Sequence, residues 1–329
     1  MNESMSPALP AVEALRAALE PLEWPARFER IAQAHNAETD AEARHAIVGL
    51  RGELADRALA ELSIEWNGVP FKEAILRVSA KRLRGALTRA AKEARNRFIV
   101  QVMRAGGLPL GAPEPGHRFA GGLDERAVEM PLALTAAALD RPGEVLDAGS
   151  ALNLPLVRSL AGRPHARVTH FTLPGSNEPV LPGHEDHFVS AFGDLRSIPY
   201  GDATFDRVVC VSTLEHVGMD TTRFGAARSG AGDASRAVAE LVRVLAPGGT
   251  LLVTVPYGRA ADHGWFRVLD RAGLKSLLEP VAAHQLALRF FYYEQGWAEG
   301  REEPPALVVD SPFAGDVVTG VAIARVIKQ

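Results

Sequence analysis

The sequence predicts an α/β protein: a doubly wound, Rossmann-like sheet with an antiparallel C-terminal edge, preceded by a helical N-terminal region. Three observations lead there. From residue 143 onward, short apolar runs rich in Val and Leu alternate with helix-like stretches, the pattern of parallel strands joined by crossovers. The last two apolar runs, 285–293 and 317–327, have no helical stretch between them and suit an antiparallel pair. The first hundred residues instead place apolar side chains three and four apart, as in Val12, Leu15, Leu19 and again Ile47, Leu50, Leu54.

Taken in order, residues 1–105 form the helical region, 106–123 a linker rich in Gly and Pro, and 124–329 the α/β domain. Asp40 suits the cap of a helix beginning at Ala41, and Asn67-Gly68 with Pro70 ends it. The stretch 75–104 carries Leu76, Leu83, Leu87, Ala90, Ala94 and Phe98 on one helical stripe. Its other face is basic: nine Lys or Arg lie between 77 and 104 against Glu93 alone, a local charge of +8 in a chain of net charge -4. Such a helix can lie on an anionic membrane surface or hold a phosphorylated ligand. The plainer reading is a solvated face neutralised by the acidic remainder. Nucleic acid is not expected, because no aromatics interleave the charges to stack bases. After a helix over 124–140, strands are expected at 145–148, 168–173, 188–191, 207–211 and 250–255.

Composition sets the outer bounds. With 329 residues, 47% hydrophobic and 23% charged, the chain has the balance of a globular protein rather than of a disordered or fibrous one. No apolar run approaches the roughly 18 residues that span a bilayer. Residues 1–10 lack the basic flank and apolar core of a signal peptide, so a cytoplasmic address is expected. Cys210, the single cysteine, falls in an apolar run and reads as a buried, inert thiol.

In an open α/β sheet, ligands bind beyond the carboxyl ends of the strands, where strand order switches. The first strand leaves through Val145-Leu-Asp-Ala-Gly149-Ser-Ala-Leu-Asn153. One glycine in place of G-x-G-x-x-G disfavours a nicotinamide dinucleotide, and no Walker loop occurs anywhere. His184-Glu-Asp-His187 follows Pro182-Gly183 in a loop and reads as a polar turn, so no metal site is expected.

Four segments taken together resemble the class I S-adenosylmethionine-dependent methyltransferases: 145–149, 193–200, the pair 205–206 with 212–216, and 240–249. The resemblance covers residues 124–329. A finer pattern resembles a subgroup associated with cell-surface glycan assembly, on Ser150-Ala-Leu-Asn153, Gly193-Asp-Leu-Arg196, Glu215-His-Val-Gly-Met-Asp220, Pro256-Tyr-Gly258, His263-Gly-Trp-Phe266 and Gly296-Trp297. The resemblance implies that Asp147 and Gly149 face the methionine part of the cofactor, with Asn153 further along the same loop. It implies that Asp194 reads the adenine amino group with Leu195 beside the ring, and that Glu215 and His216 stand where methyl donor and acceptor meet. Pro247-Gly248-Gly249 matches the turn before the fifth strand. The chain departs from the pattern at Ala151 and Asn153, where glycines usually stand, and at Thr172, where a carboxylate usually grips the ribose. Glu178, six residues on, is a candidate replacement.

Methyl transfer to a hydroxyl asks the protein for alignment and for a base near neutral pKa, which suits histidine. His263 is expected to be that base, on a loop that can close over substrate, and His216 a positioning group. Tyr257, Trp265 and Trp297 are candidates for stacking on a sugar ring. The expected activity is methylation of a sugar hydroxyl in a cell-surface glycan or its precursor. The alternative is a catalytically silent domain of the same fold that docks a partner or an anionic membrane through the basic helix 77–104.

Overall fold

The computed structural model describes residues 8–22, single positions between 27 and 57, 81–108, 118–174, 186–219, 232–304 and 318–329, apart from 163 and 295. The expected helix start at Ala41 and the turn at Asn67-Gly68 lie outside these residues, as does Glu178. Two compact units divide at residues 95 and 96. In the first, α1 (Ala8–Leu19) turns Leu19 inward, and Ile31, Ile47, Leu50 and Leu54 are buried with it, as the three- and four-residue spacing requires. Arg16 and Arg57 pair with Glu53 and Glu20 on its surface. The helix α2 (Lys81–Arg104) spans the division and buries Ile99, next to the expected stripe, whose Ala94 and Phe98 are half-buried. Among the described residues no helix is long and apolar enough to cross a membrane.

The second unit is the α/β domain. Its helices are α3 (Arg126–Ala137), α4 (Pro155–Ala161), α5 (Asp233–Val244) and α6 (Arg271–Leu277). The strands are β1 (Gly143–Ala148), β2 (Ala166–Thr172), β3 (Phe188–Phe192), β4 (Phe205–Val211), β5 (Leu245–Pro256), the two-residue strands β6 (Ala261–Asp262) and β7 (Arg267–Val268), then β8 (Gln285–Tyr293), β9 (Trp297–Gly300) and β10 (Gly320–Ile327). Eight of them form one sheet in the order β3-β2-β1-β4-β5-β10-β8-β9, while β6 and β7 pair separately. Strands β1 to β5 run parallel, and β10 runs antiparallel to both neighbours.

Strand alternation sorts the core into two layers. On one face Leu146, Val208, Cys210 and Val253 pack with Val238 and Leu241 of α5 and Leu274 of α6. On the other, Val145, Val168, Val209 and Val211 pack with Val128, Leu132 and Ala133 of α3 and Val157 of α4. Each such Val or Leu, fully removed from water, contributes about 1.5–3 kcal/mol. Cys210 is buried and burial pushes its thiol pKa up, so it is an apolar core residue.

Two details differ from the sequence reading. The C-terminal pair is antiparallel, but β10 lies between β5 and β8 and the short β9 forms the edge. Val321, Ala322, Ile323, Ala324 and Val326 are all buried, so β10 has two apolar faces and needs cover on both sides. The stretch Pro247-Gly248-Gly249, expected as a turn, belongs to β5 as an irregularity at its start, where the pairing to β4 shifts register.

Candidate functional site

The neighbours of β1 are β2 on one side and β4 on the other, so strand order reverses between β1 and β4. The site is built at their carboxyl ends. Past β1, Gly149 and Ser150 take consecutive left-handed conformations, φ 98° and 57°. A Cβ on Gly149 would lie 2.1 Å from Thr213 Oγ1, so only glycine lets the β1 loop pass against the exit of β4. Asp147 is fully buried. Its Oδ2 accepts from the Leu152 amide at 2.9 Å, holding the loop, and from His170 Nδ1 at 2.7 Å. Asp147 Oδ1 and Ser150 Oγ are buried and have no hydrogen-bond partner. Asn153 is buried in the same loop, its amide on Ser150 O.

His170, absent from the sequence expectations, lies directly opposite Asp147 in the β1–β2 register and stacks on Phe188. Thr172 closes β2, its carbonyl accepting from the Gly193 amide. Asp194 and Leu195 follow β3 as expected. Both oxygens of Asp194 are gripped by the Arg196 guanidinium, whose other arm reaches Asp233 at 2.7 Å. The Arg196 side chain holds the Asp194 pKa below the usual carboxylate value, so it stays ionised.

Beyond β4, Glu215 and His216 lie on the short 3-10 turn Leu214–His216. Glu215 is 3% exposed, its Oε2 has no hydrogen-bond partner, and burial pushes its pKa up to about 8. Glu129, on α3, lies fully buried nearby. Its Oε1 accepts from Ser212 Oγ and Thr254 Oγ1, both at 2.7 Å, and its Oε2 from Arg126 at 3.0 Å. It therefore clamps the ends of β4 and β5, and its negative charge adds to the upward push on Glu215. Sequence reasoning missed Glu129, though a carboxylate in the middle of an otherwise apolar helix is a visible anomaly.

The hairpin of β6 and β7 lies against this turn. Arg267 donates to Val217 O at 2.9 Å, and His216 Nδ1 donates to Trp265 O at 2.8 Å. The His216 and Trp265 rings stack at 4.9 Å, and His263 stacks on Phe266 at 4.7 Å. His263 Nε2 is buried without a hydrogen-bond partner. Glu215, His216, His263 and Trp265 are thus brought together. Tyr257 and Trp297 are not. Tyr257 is 2% exposed and packs on Phe290, while Trp297 is 0% exposed and donates from its indole to Leu123 O. Neither offers a face for stacking on a sugar, because both serve the packing of the sheet.

Residues 177–253 match a family described as a methyltransferase domain. The match runs through β3, β4 and α5 into β5. No curated protein matches the chain. Among solved structures, the [4+2]-cyclase SpnF aligns over 72% of this chain and 95% of its own at 18% identity, TM-score 0.43. A protein from Bacillus halodurans C-125 aligns over 61% of this chain and 99% of its own at 18% identity, TM-score 0.40. The Burkholderia thailandensis 1,6-didemethyltoxoflavin-N1-methyltransferase, solved with S-adenosylhomocysteine, aligns over 62% and 80% at 18% identity, TM-score 0.39.

The sheet is Rossmann-like with its site at the β1/β4 switch point, and the methyltransferase domain match within it points to S-adenosylmethionine as the cofactor. The residues present fit that cofactor. An amino-acid zwitterion needs acceptors for its ammonium and donors for its carboxylate, and the buried, partnerless Asp147 Oδ1 and Ser150 Oγ offer one of each.

Proposed function

We propose that the protein methylates a hydroxyl of a sugar, in a cell-surface glycan or its precursor. The observation that supports it best is the arrangement at the exit of β4. Because a carbonyl can only accept, the bond to Trp265 O fixes the proton on His216 Nδ1 and leaves the lone pair on Nε2, 3.9 Å from Glu215 Oε1. In this reading His216 Nε2 takes the acceptor proton, and Glu215, protonated at neutral pH, donates a hydrogen bond to a substrate oxygen. Trp265, partly exposed above His216, offers the ring face for a sugar. Asp147, Ser150, Asp194 and Leu195 hold the cofactor, with Thr172 and Asn153 beside it. When bound, S-adenosylmethionine supplies an already activated methyl group, so the chain's contribution is alignment and proton removal.

A second reading keeps the base at His263, and the observation in its favour is the buried, partnerless Nε2 on that ring. A third makes the domain catalytically silent, favoured by Thr172 in place of a ribose-binding acid and by the commitment of Asp194 to Arg196. Calorimetric titration with S-adenosylmethionine, followed by transfer of labelled methyl to a panel of mono- and oligosaccharides, separates them. Saturable binding with transfer to a sugar oxygen is expected. Binding with transfer only to nitrogen acceptors refutes the sugar assignment, and no binding at millimolar cofactor refutes the enzyme.

A further inference from the structure

The opposite ends of the same strands form a half-open pocket of about 690 Å3, within the usual range for small-molecule sites. Its walls are apolar where Met103, Leu134, Leu139, Leu160 and Ala161 line it. Its charged lining is one-sided: Arg104, Arg141, Arg207 and Arg325 against Asp140 alone. Arg207, at the start of β4, is the unusual member. It is 9% exposed, its two terminal nitrogens donate to the carbonyls of Ala138, Arg141 and Pro142, and its Nε is buried with no partner. Among the described residues no carboxylate forms a salt bridge with it. Burial pulls its pKa below the ordinary arginine value, outweighing the opposite effect of Asp206 and Asp140.

We propose that this cavity binds a small anionic amphiphile, a carboxylate or phosphate head on an aliphatic body, with the head at Arg207 and the exposed arginines around it. Arg207 hydrogen-bonds only to carbonyls, with Asp206 and Asp140 acting on it through space, and a lining of four arginines against Asp140 favours an arriving anion over a cationic or neutral head. The apolar wall supplies the remaining affinity through burial of the chain. Nothing in this site shares a residue with the crevice at the carboxyl ends of β1 and β4, so it stands whether or not the methyltransferase assignment does.

The test is calorimetric titration of the full chain with decanoate and decyl phosphate, with decanol as the neutral control. Both anions bind once per chain, and decanol binds more than tenfold more weakly. Truncating Arg207 itself would remove its bonds to the carbonyls of Ala138, Arg141 and Pro142 and disturb that turn, so the informative variants are Arg104→Ala with Arg325→Ala, and Ala161→Trp, which fills the cavity. The first weakens decanoate roughly tenfold or more by loss of charge-assisted contacts, and the second abolishes binding, each with its melting temperature compared to wild type. Equal binding of decanol overturns the charge argument. Undiminished binding in well-folded Ala161→Trp, or displacement of decanoate by S-adenosylhomocysteine, places the anion elsewhere and overturns the site.

Discussion

Replacing Glu215 by Gln should make the protein more stable, and increasingly so as pH rises from acid to neutral. The side chain is 3% exposed, and burial, reinforced by Glu129, lifts its pKa from 4.5 to about 8. Between those two pH values the native state keeps a proton that the unfolded chain has released, so the native state binds more protons and loses stability as pH rises. Each pH unit costs about 1.4 kcal/mol, and the accumulated cost at pH 7 is roughly 3 kcal/mol. Glutamine, neutral at every pH and nearly the same shape, carries no such cost. Urea unfolding of wild type and Glu215→Gln at intervals from pH 4.5 to 8 measures the difference, in which every titration not coupled to Glu215, as that of Glu129 is, cancels. The stability gap should open with pH towards the alkaline end and be small at pH 4.5. Parallel curves would mean that Glu215 is ionised in the native state, and the protonated donor assigned to it in substrate binding would fall with them.

Other outcomes follow from the geometry of the same crevice. Gly149→Ala forces a left-handed φ on a residue with a Cβ and drives that Cβ to 2.1 Å from Thr213 Oγ1, so S-adenosylhomocysteine affinity should fall more than tenfold, with a lowered melting temperature; calorimetry showing wild-type affinity would refute the role of the loop. Asp194→Ala should weaken cofactor binding by roughly tenfold to a hundredfold, the value of a charged hydrogen bond, and more than Glu178→Ala does. His216→Ala should lower turnover by about a hundredfold to ten-thousandfold, as removal of a general base does, with cofactor affinity unchanged; if His263→Ala shows that loss and His216→Ala does not, the base is His263. Trp297→Phe breaks the buried bond to Leu123 O and should cost about 1–3 kcal/mol of stability while leaving the acceptor KM unchanged.

The strands of the parallel half were legible because a strand covered on both faces is an apolar run, and nothing else in the chain has that texture at that length. The position of β10 was harder to read. An antiparallel pairing with β8 is implied by the lack of a helical stretch between the two runs, but insertion beside β5 depends on the register from Val321–Pro256 to Ile327–Thr250, which sequence spacing does not encode. The same limit governed the site. Asp147 near the end of β1 and Gly149 just past it were placed from the strand itself, whereas Glu215 and His216 were placed beyond β4 by the family resemblance. His170 becomes meaningful only once β1 and β2 are paired residue by residue. Glu129 acts on Ser212 and Thr254, 83 and 125 residues away, through side-chain contacts made after the sheet has closed. Trp297 was misread for a different reason: a tryptophan beside a glycine looks like a loop residue, yet the segment from Phe119 to Leu123 folds over it and pairs with β9.

The charges at the two ends of the sheet invite a functional reading twice over, and part of their distribution belongs to the topology itself. In a β-helix-β unit each helix points its N-terminus towards the carboxyl ends of the strands, so helix dipoles present partial positive charge there and partial negative charge at the opposite edge. α5 shows both halves, with Asp233 in its first turn and Arg243 in its last. A dipole of that kind contributes about 0.3–1 kcal/mol per charge at an exposed position, enough to favour Asp194 at one edge and Arg325 at the other without any ligand. It does not reach the buried groups. Glu215 at 3% exposure and Arg207 at 9% each incur a desolvation cost of several kcal/mol, larger than a helix terminus returns. β4 thus carries a costly cation at its start, a costly acid just past its end, and apolar Val208 to Val211 between them. Fold polarity accounts for the exposed charges and not for these two, which is why the two proposed ligands are placed at Glu215 and Arg207, one at each end of the strand.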